Sequence, residues 1–204
     1  MALAVVAAIV FVFLSPDRVR PGPNWLVPLL AGLLLAALIV GDPGRIDRRS
    51  GALRGLSIAL VCVLGVSALW ATGYLISDLI SGGPETKSGG DLLAAGAVVW
   101  VANNIVFALL YWELDGGGPA ARAHHVRRRP DLAFPQQLSP ELGWGDWRPQ
   151  FIDYLYLGFT NATAFSPTDV MPLVPWAKIA MTIQSLASLA ILGLVVARAV
   201  NVFS

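Results

Sequence analysis

Long apolar runs separated by short polar links dominate this chain. The runs are Ala2–Leu14, Trp25–Val40, Leu56–Ile80, Leu92–Tyr111 and Trp176–Val202. A helix rises ~1.5 Å per residue, so about 20 apolar residues cross a ~30 Å hydrocarbon core. Leu56–Ile80 is long enough to cross with tilt. Ala2–Leu14, roughly 20 Å as a helix, is short for a crossing. Trp25 and Trp112 stand at run ends, where tryptophan anchors a helix in the interface. Pro28 falls in a first turn, where its missing N–H costs little. Ser57, Ser67, Thr72 and Gly73 offer small surfaces for helix packing.

The pattern breaks after the fourth run. Glu113–Arg148 is polar, with the run Gly116-Gly-Gly118, the basic triplet Arg127–Arg129 and several prolines, which predicts an irregular loop. Phe151–Phe165 is mixed: Tyr154, Leu157 and Phe165 are apolar, while Asp153, Thr160, Asn161 and Thr163 are polar. As a helix it covers ~22 Å. Ser166-Pro167-Thr168-Asp169 then supplies a turn. Pro172 and Pro175 open the last run, with Pro175 in the first helical turn where it is tolerated.

These elements predict an all-α, polytopic helical membrane protein with five or six membrane segments. One membrane domain is expected over 1–204: four helices in 1–112, a polar loop in 113–150, and a short helix–turn–long helix hairpin in 151–204. Composition supports the membrane class. The 204 residues are 56% hydrophobic and 13% charged, with mean hydropathy +0.66, whereas soluble domains are about a quarter charged. A formal net charge of +1 provides no basic field for nucleic acid. Met1–Leu14 has no basic n-region, and Asp17, Arg18 and Arg20 stand where cleavage-site residues belong, so it reads as a first helix and not a signal peptide. The single cysteine, Cys62, lies inside an apolar run and reads as a small buried hydrophobe. His124 and His125 are adjacent in a basic loop, a poor geometry for joint metal ligation. No metal or other cofactor is expected. Glu113, Asp115, Asp153 and Asp169 are acids, but no nucleophile–base pair accompanies them, so an enzyme is not expected.

Polar groups at membrane depth must face protein or water. Asn103 and Asn104 lie near the middle of the fourth run, where interhelical hydrogen bonding (worth ~1 kcal/mol) and a hydrated path are the two readings. Asp153 is a further intramembrane candidate. Asp78 closes the third run between Ser77 and Ser81 and reads as interfacial.

The C-terminal hairpin resembles the pore region of potassium-channel-like proteins, which runs T-x-x-T-[TA]-x-G-Y-G-D-x-x-P-x-[TS]-P-x-[AG]-[KR]. Thr160, Thr163, Ala164, Asp169, Pro172, Pro175, Ala177 and Lys178 fall in that register without gaps. Downstream, Gln184 stands where such pores often carry Glu, Ser188 where a hinge glycine is usual, and Ala197-Arg198 at the intracellular end. The resemblance covers 151–198. It implies a pore helix, a filter loop, an inner helix and a homo-oligomer, a tetramer by analogy. The filter itself is rewritten. Ser166 and Thr168 replace glycines that supply positive φ, and Pro167 fixes φ and removes an N–H. A backbone-carbonyl potassium filter is therefore not expected. In a conducting protein Thr160, Asn161, Thr163, Ser166 and Thr168 would line the path, with Asp169 at the mouth and Ser188 as hinge. In a non-conducting one the same residues cap and tie a helix pair. The chain is also similar to a group of uncharacterised bacterial multi-spanning membrane proteins with D-[FY]-x-Y-x-[SGA]-F-T-x-x-x-x-F-x-x-[ST]-D-[VT], through Asp153-Tyr-Leu-Tyr156, Phe159-Thr160 and Thr168-Asp169.

Charge sets the expected topology. The links after the second and fourth runs carry Arg45, Arg48, Arg49, Arg54, Arg122, Arg127, Arg128, Arg129 and Arg148; the others carry Arg18, Arg20 and Lys87. The positive-inside rule puts the first set in the cytoplasm. With Arg198 also inside, Phe151–Phe165 must cross, giving six segments with a cytoplasmic C-terminus in the plasma membrane. The channel resemblance implies instead a re-entrant Phe151–Phe165 and an external Arg-rich loop. Leu138–Trp147, with Trp144 and Trp147, reads as a loop with interfacial anchors, and Arg127–Arg129 is drawn to anionic lipid. The bilayer is the first partner. The function expected from these residues is a channel-like oligomer with a non-potassium-selective pore segment. The alternative is a non-conducting scaffold or accessory subunit of a larger complex.

Overall fold

A computed structural model describes residues 2–15, 22–41, 51–82, 89–123, 130–142, 147–163 and 169–203. Ser166 and Thr168, with Ala164, Phe165 and Pro167, lie outside these residues. So do His124, His125, Arg127–Arg129 and Trp144, and the link residues Arg18, Arg20, Arg45, Arg48, Arg49 and Lys87. The apolar runs form α1 (Ala2–Leu14), α2 (Leu26–Gly41), α3 (Gly51–Ser81), α4 (Gly89–Leu114) and α8 (Pro175–Phe203). The mixed segment forms α7 (Phe151–Thr163). The chain is all-α, and α3, α4 and α8 are long and apolar enough to cross a membrane, whereas α1 and α2 are shorter.

α3 and α4 form the centre. One core, with Leu60, Leu64 and Leu109 fully buried, joins them to Val5 and Ala8 of α1 and Ala31 of α2. A second, with Leu75, Leu92 and Ile191, joins their other halves to α8. Much of the remaining helical surface is apolar and exposed, including Val66, Trp70, Leu186 and Leu189, as lipid-facing helices require.

Residues 113–150 are more ordered than their composition suggests. A 3₁₀ turn at Asp115–Gly117 leads to α5 (Pro119–Ala123), then to strand β1 (Leu132–Ala133), α6 (Pro135–Leu138) and a 3₁₀ turn at Pro140–Leu142. Gly116, Gly117 and Gly118 all have positive φ, from 57° to 95°. That left-handed backbone is open to glycine at little cost and ends α4. β1 pairs antiparallel with β2 (Met171–Pro172), just ahead of α8, with Leu132 opposite Pro172. Leu173 N–H also donates to the Asp131 carbonyl at 2.9 Å. Trp147 does not stand free as an anchor: its ring packs on Phe134, centroids 5.6 Å apart.

This pairing places both flanks of α7 at one end of the bundle. α7 runs antiparallel to α4, with Tyr154 against Trp112 (5.5 Å between centroids) and Phe159 against Trp100 (5.8 Å). Its 13 residues descend about 20 Å along α4. The chain is back beside β1 by residue 171. α8 then descends in the same direction as α7, from the first end, where Ala177 shares a core with Tyr111 and Tyr154, to Val195 against Gly96. A sixth crossing through Phe151–Phe165 is therefore at odds with the geometry: a crossing helix would deliver residue 171 to the opposite end.

Two further expectations are corrected. Cys62 is exposed on α3, not buried. Asp78 is only 8% exposed, more enclosed than an interfacial acid. Asp153 sits in the first turn of α7, half-buried, and its carboxylate accepts the Gln150 N–H at 2.7 Å, closing the helix start as a capping acid does.

Candidate functional site: a buried amide hub between α4, α7 and α8

α7 is amphipathic and turns one face inward: Tyr154, Leu157, Gly158, Thr160, Asn161 and Ala162 are buried, while Ile152, Tyr156 and Phe159 face outward. Gly158 permits the approach. A Cβ there would stand 3.2 Å from the Asn104 carbonyl oxygen and 3.5 Å from Gln184 Nε2. α4 and α8 close in on either side, bringing four long-range polar side chains together.

Gln184, fully buried, is the centre. Its Oε1 accepts from the Tyr111 hydroxyl at 2.7 Å and from Asn161 Nδ2 at 2.8 Å. Its Nε2 donates to the Gly158 carbonyl at 2.8 Å and faces Asn104 Oδ1 at a weak 3.5 Å. Asn161 Nδ2 also donates to the Met181 carbonyl at 2.9 Å. The Ser185 hydroxyl donates to Asn161, 3.1 Å from both its main-chain and its side-chain oxygen. Asn104 Nδ2 bonds the Trp100 carbonyl at 3.0 Å. Three helices are thus tied by amides bonded to one another, to two hydroxyls and to main-chain carbonyls. In a low-dielectric interior such a network is strong when complete and costly when broken.

The predicted site residues that lie among the described ones can be placed. Asn161 and Asn104 belong to the hub. Asn103 does not: it turns to α3, where Nδ2 donates to Thr72 Oγ at 2.6 Å. Thr160 is buried, and its hydroxyl returns to the Tyr156 and Leu157 carbonyls at 3.0 and 3.1 Å. The half-buried Thr163 does the same to the Thr160 carbonyl at 3.0 Å. Such back-bonding satisfies hydroxyls inside a helix and removes them from other duties. Asp169 is exposed. Ser188 is fully buried inside an unbroken α8. The sequence points to Gln184 only through the channel resemblance and carries no signal that singles out Tyr111 or Ser185.

A second cluster seals the first end of the bundle. Asp115, 1% exposed, accepts the Tyr154 hydroxyl on Oδ2 at 2.5 Å and the N–H groups of Asp131 and Leu132 on Oδ1 at 3.0 and 3.1 Å. Arg122 donates to the Trp112 and Asp115 carbonyls at 2.9 and 2.5 Å. Its guanidinium lies over the Trp112 ring at 4.6 Å and the Tyr154 ring at 5.2 Å. The buried Glu113 is next to it, with Ser57 as hydrogen-bond partner and Arg122 and Arg54 as nearby cations. The start of α3 therefore meets the end of α4 here. Among the described residues no group of three or more His, Cys, Asp or Glu is placed to hold a metal ion.

Comparison of the chain with protein-family models, with curated proteins and with solved structures yields no match in any of the three.

Proposed function

We propose that the protein is an integral membrane protein of the cytoplasmic membrane with five crossing helices, α1–α4 and α8, and a re-entrant α7. Its α7–α8 hairpin acts as a fixed, non-conducting element, as in a membrane scaffold or the accessory subunit of a larger complex. The observation that carries this reading is the hub. The polar groups of Asn161 and Gln184 are turned into the protomer and bonded to its own atoms. A conduction path would present them to water or to ions. Purified protein in liposomes is expected to give no potassium or sodium flux above that of empty vesicles. Sustained cation flux would reject the reading. A homo-oligomeric cation channel is then the second reading, favoured by the exposed Asp169 beside the hairpin turn; Asp169→Asn would lower its current.

Orientation follows from charge. Ten of the 14 Lys and Arg residues belong to the end holding the α7 flanks, counted by the links and turns they occupy, and only Arg18, Arg20, Lys87 and Arg198 to the other. The positive-inside rule sets the first end in the cytoplasm. The C-terminus then lies outside the cytoplasm, the reverse of the expectation from six crossings. The hairpin opens inward, the reverse of what the channel resemblance implies. In a Cys62→Ala background, Arg148→Cys and Asp169→Cys are expected to be shielded from a membrane-impermeant thiol reagent in intact cells, and Ser81→Cys labelled. Labelling Arg148→Cys and Asp169→Cys from opposite sides would restore a sixth crossing.

A further inference from the structure

We infer that bound water occupies the interior of the bundle one turn below the amide hub, held by Trp100, Asn103 and Ser188. The register of α8 against α4 locates the place. Gln184 stands opposite Asn104, and Val195 opposite Gly96. Positions 184, 188, 191 and 195 follow one helical stripe. Ser188 therefore faces the stretch of α4 between Gly96 and Asn104, which contains Trp100 and Asn103. Three buried polar atoms in this one layer have no hydrogen-bond partner among the described residues: Trp100 Nε1, Asn103 Oδ1 and Ser188 Oγ. Asn103 is 1% exposed and Ser188 fully buried.

Their chemistry is complementary. The indole N–H only donates, the amide oxygen only accepts, and the hydroxyl does both. One water can accept from Trp100, donate to Asn103 and bond Ser188 in either sense. Buried waters take about three such bonds, and leaving the groups dry would cost each its desolvation. A serine inside a helix usually bonds the carbonyl four residues back, as Thr72, Thr160 and Thr182 do here. Ser188 does not, so its hydroxyl is free for a bridging partner. Towards the far end the layer meets the buried apolar cluster of Leu75, Leu92, Val99 and Ile191. The inference is independent of whether the hairpin conducts.

The test uses the full-length protein in lipid nanodiscs, labelled with ¹⁵N-tryptophan. Water-to-indole transfer by NMR is expected at the Trp100 N–H, assigned by loss of the peak in Trp100→Phe. Contact with lipid acyl protons alone would overturn the site. Ser188→Ala provides a second readout with opposite signs. Removing a dry, orphaned hydroxyl would raise Tm, whereas removing a water ligand lowers it and weakens the water-to-Trp100 transfer. A raised Tm, or transfer unchanged from wild type, rejects the assignment.

Discussion

Gln184→Leu is expected to destabilise the protein by about 3 kcal/mol, read as a shift of the unfolding midpoint in mixed detergent. Leucine fills a similar volume, so the change tests hydrogen bonding more than packing. It leaves the Tyr111 hydroxyl without its acceptor and removes one of two acceptors from Asn161 Nδ2, while the Gly158 carbonyl loses its side-chain donor. An orphaned buried group costs ~1–3 kcal/mol. Interhelical bonds in membrane proteins run lower, around 0.6 kcal/mol on average. The hub stands above that average because one side chain serves three helices at once, so its loss is not shared with alternative partners. Tyr111→Phe gives the contrast. It removes a single donor and leaves Gln184 Oε1 still bonded to Asn161, so about 1 kcal/mol or less is expected. If the two variants unfold at the same midpoint, the hub is not what holds α7 in place.

The fold was legible where a single helix carries its own signal. α3, α4 and α8 are apolar for longer than a bilayer is thick, and each structural helix lies within a few residues of its run. Facing was less legible. A helix apolar on all sides has no stripe to point at its neighbours, and Cys62, expected to be buried as a small hydrophobe in an apolar run, faces out. The path of α7 rested on still less. Thirteen residues are compatible with a short crossing or a re-entry, and what puts both α7 flanks at one end of the bundle is a ladder of two residues on each side. Strands that short leave no alternating pattern to read. The polar loop reads as irregular because glycines and prolines recur through it, yet one carboxylate just past the end of α4 reaches backbone N–H groups 16 and 17 residues away. Composition cannot report a contact of that kind. The hub was half legible. Asn161 and the Asn103–Asn104 pair were conspicuous as polar groups at depth. That only Asn104 turns to Gln184, while Asn103 turns to Thr72, follows from the 100° step between neighbours and needs the positions of both partner helices.

Asp115→Ala is the sharper probe of how the hairpin is held from above. The variant strips the acceptor from the Tyr154 hydroxyl and from two backbone N–H groups at the start of β1. Hydrogen bonds to a charged group contribute ~1.5–3 kcal/mol each when buried, though not additively. A loss of at least about 3 kcal/mol is expected. The readout should also be local. Because β1 holds β2, and β2 leads directly into α8, freeing residues 131–133 should expose both 130–142 and 169–174 to added protease. Tyr154→Phe breaks only the 2.5 Å bond and keeps the ring that packs on Trp112, Phe134 and the Arg122 guanidinium. It should cost about 1 kcal/mol and leave the cleavage pattern unchanged. Asp115→Asn separates charge from geometry. The amide keeps an acceptor for the two N–H groups, but turns a donor towards the Tyr154 hydroxyl, which can then accept. Full protection in Asp115→Asn would mean that geometry suffices. Cleavage as fast as in Asp115→Ala would mean that the negative charge is what holds the loop against the hairpin. If Asp115→Ala itself is cut no faster than wild type, the docking of the loop does not depend on this carboxylate, and the shared end of the two α7 flanks must be held by the ladder and the packing around Phe134 and Tyr154.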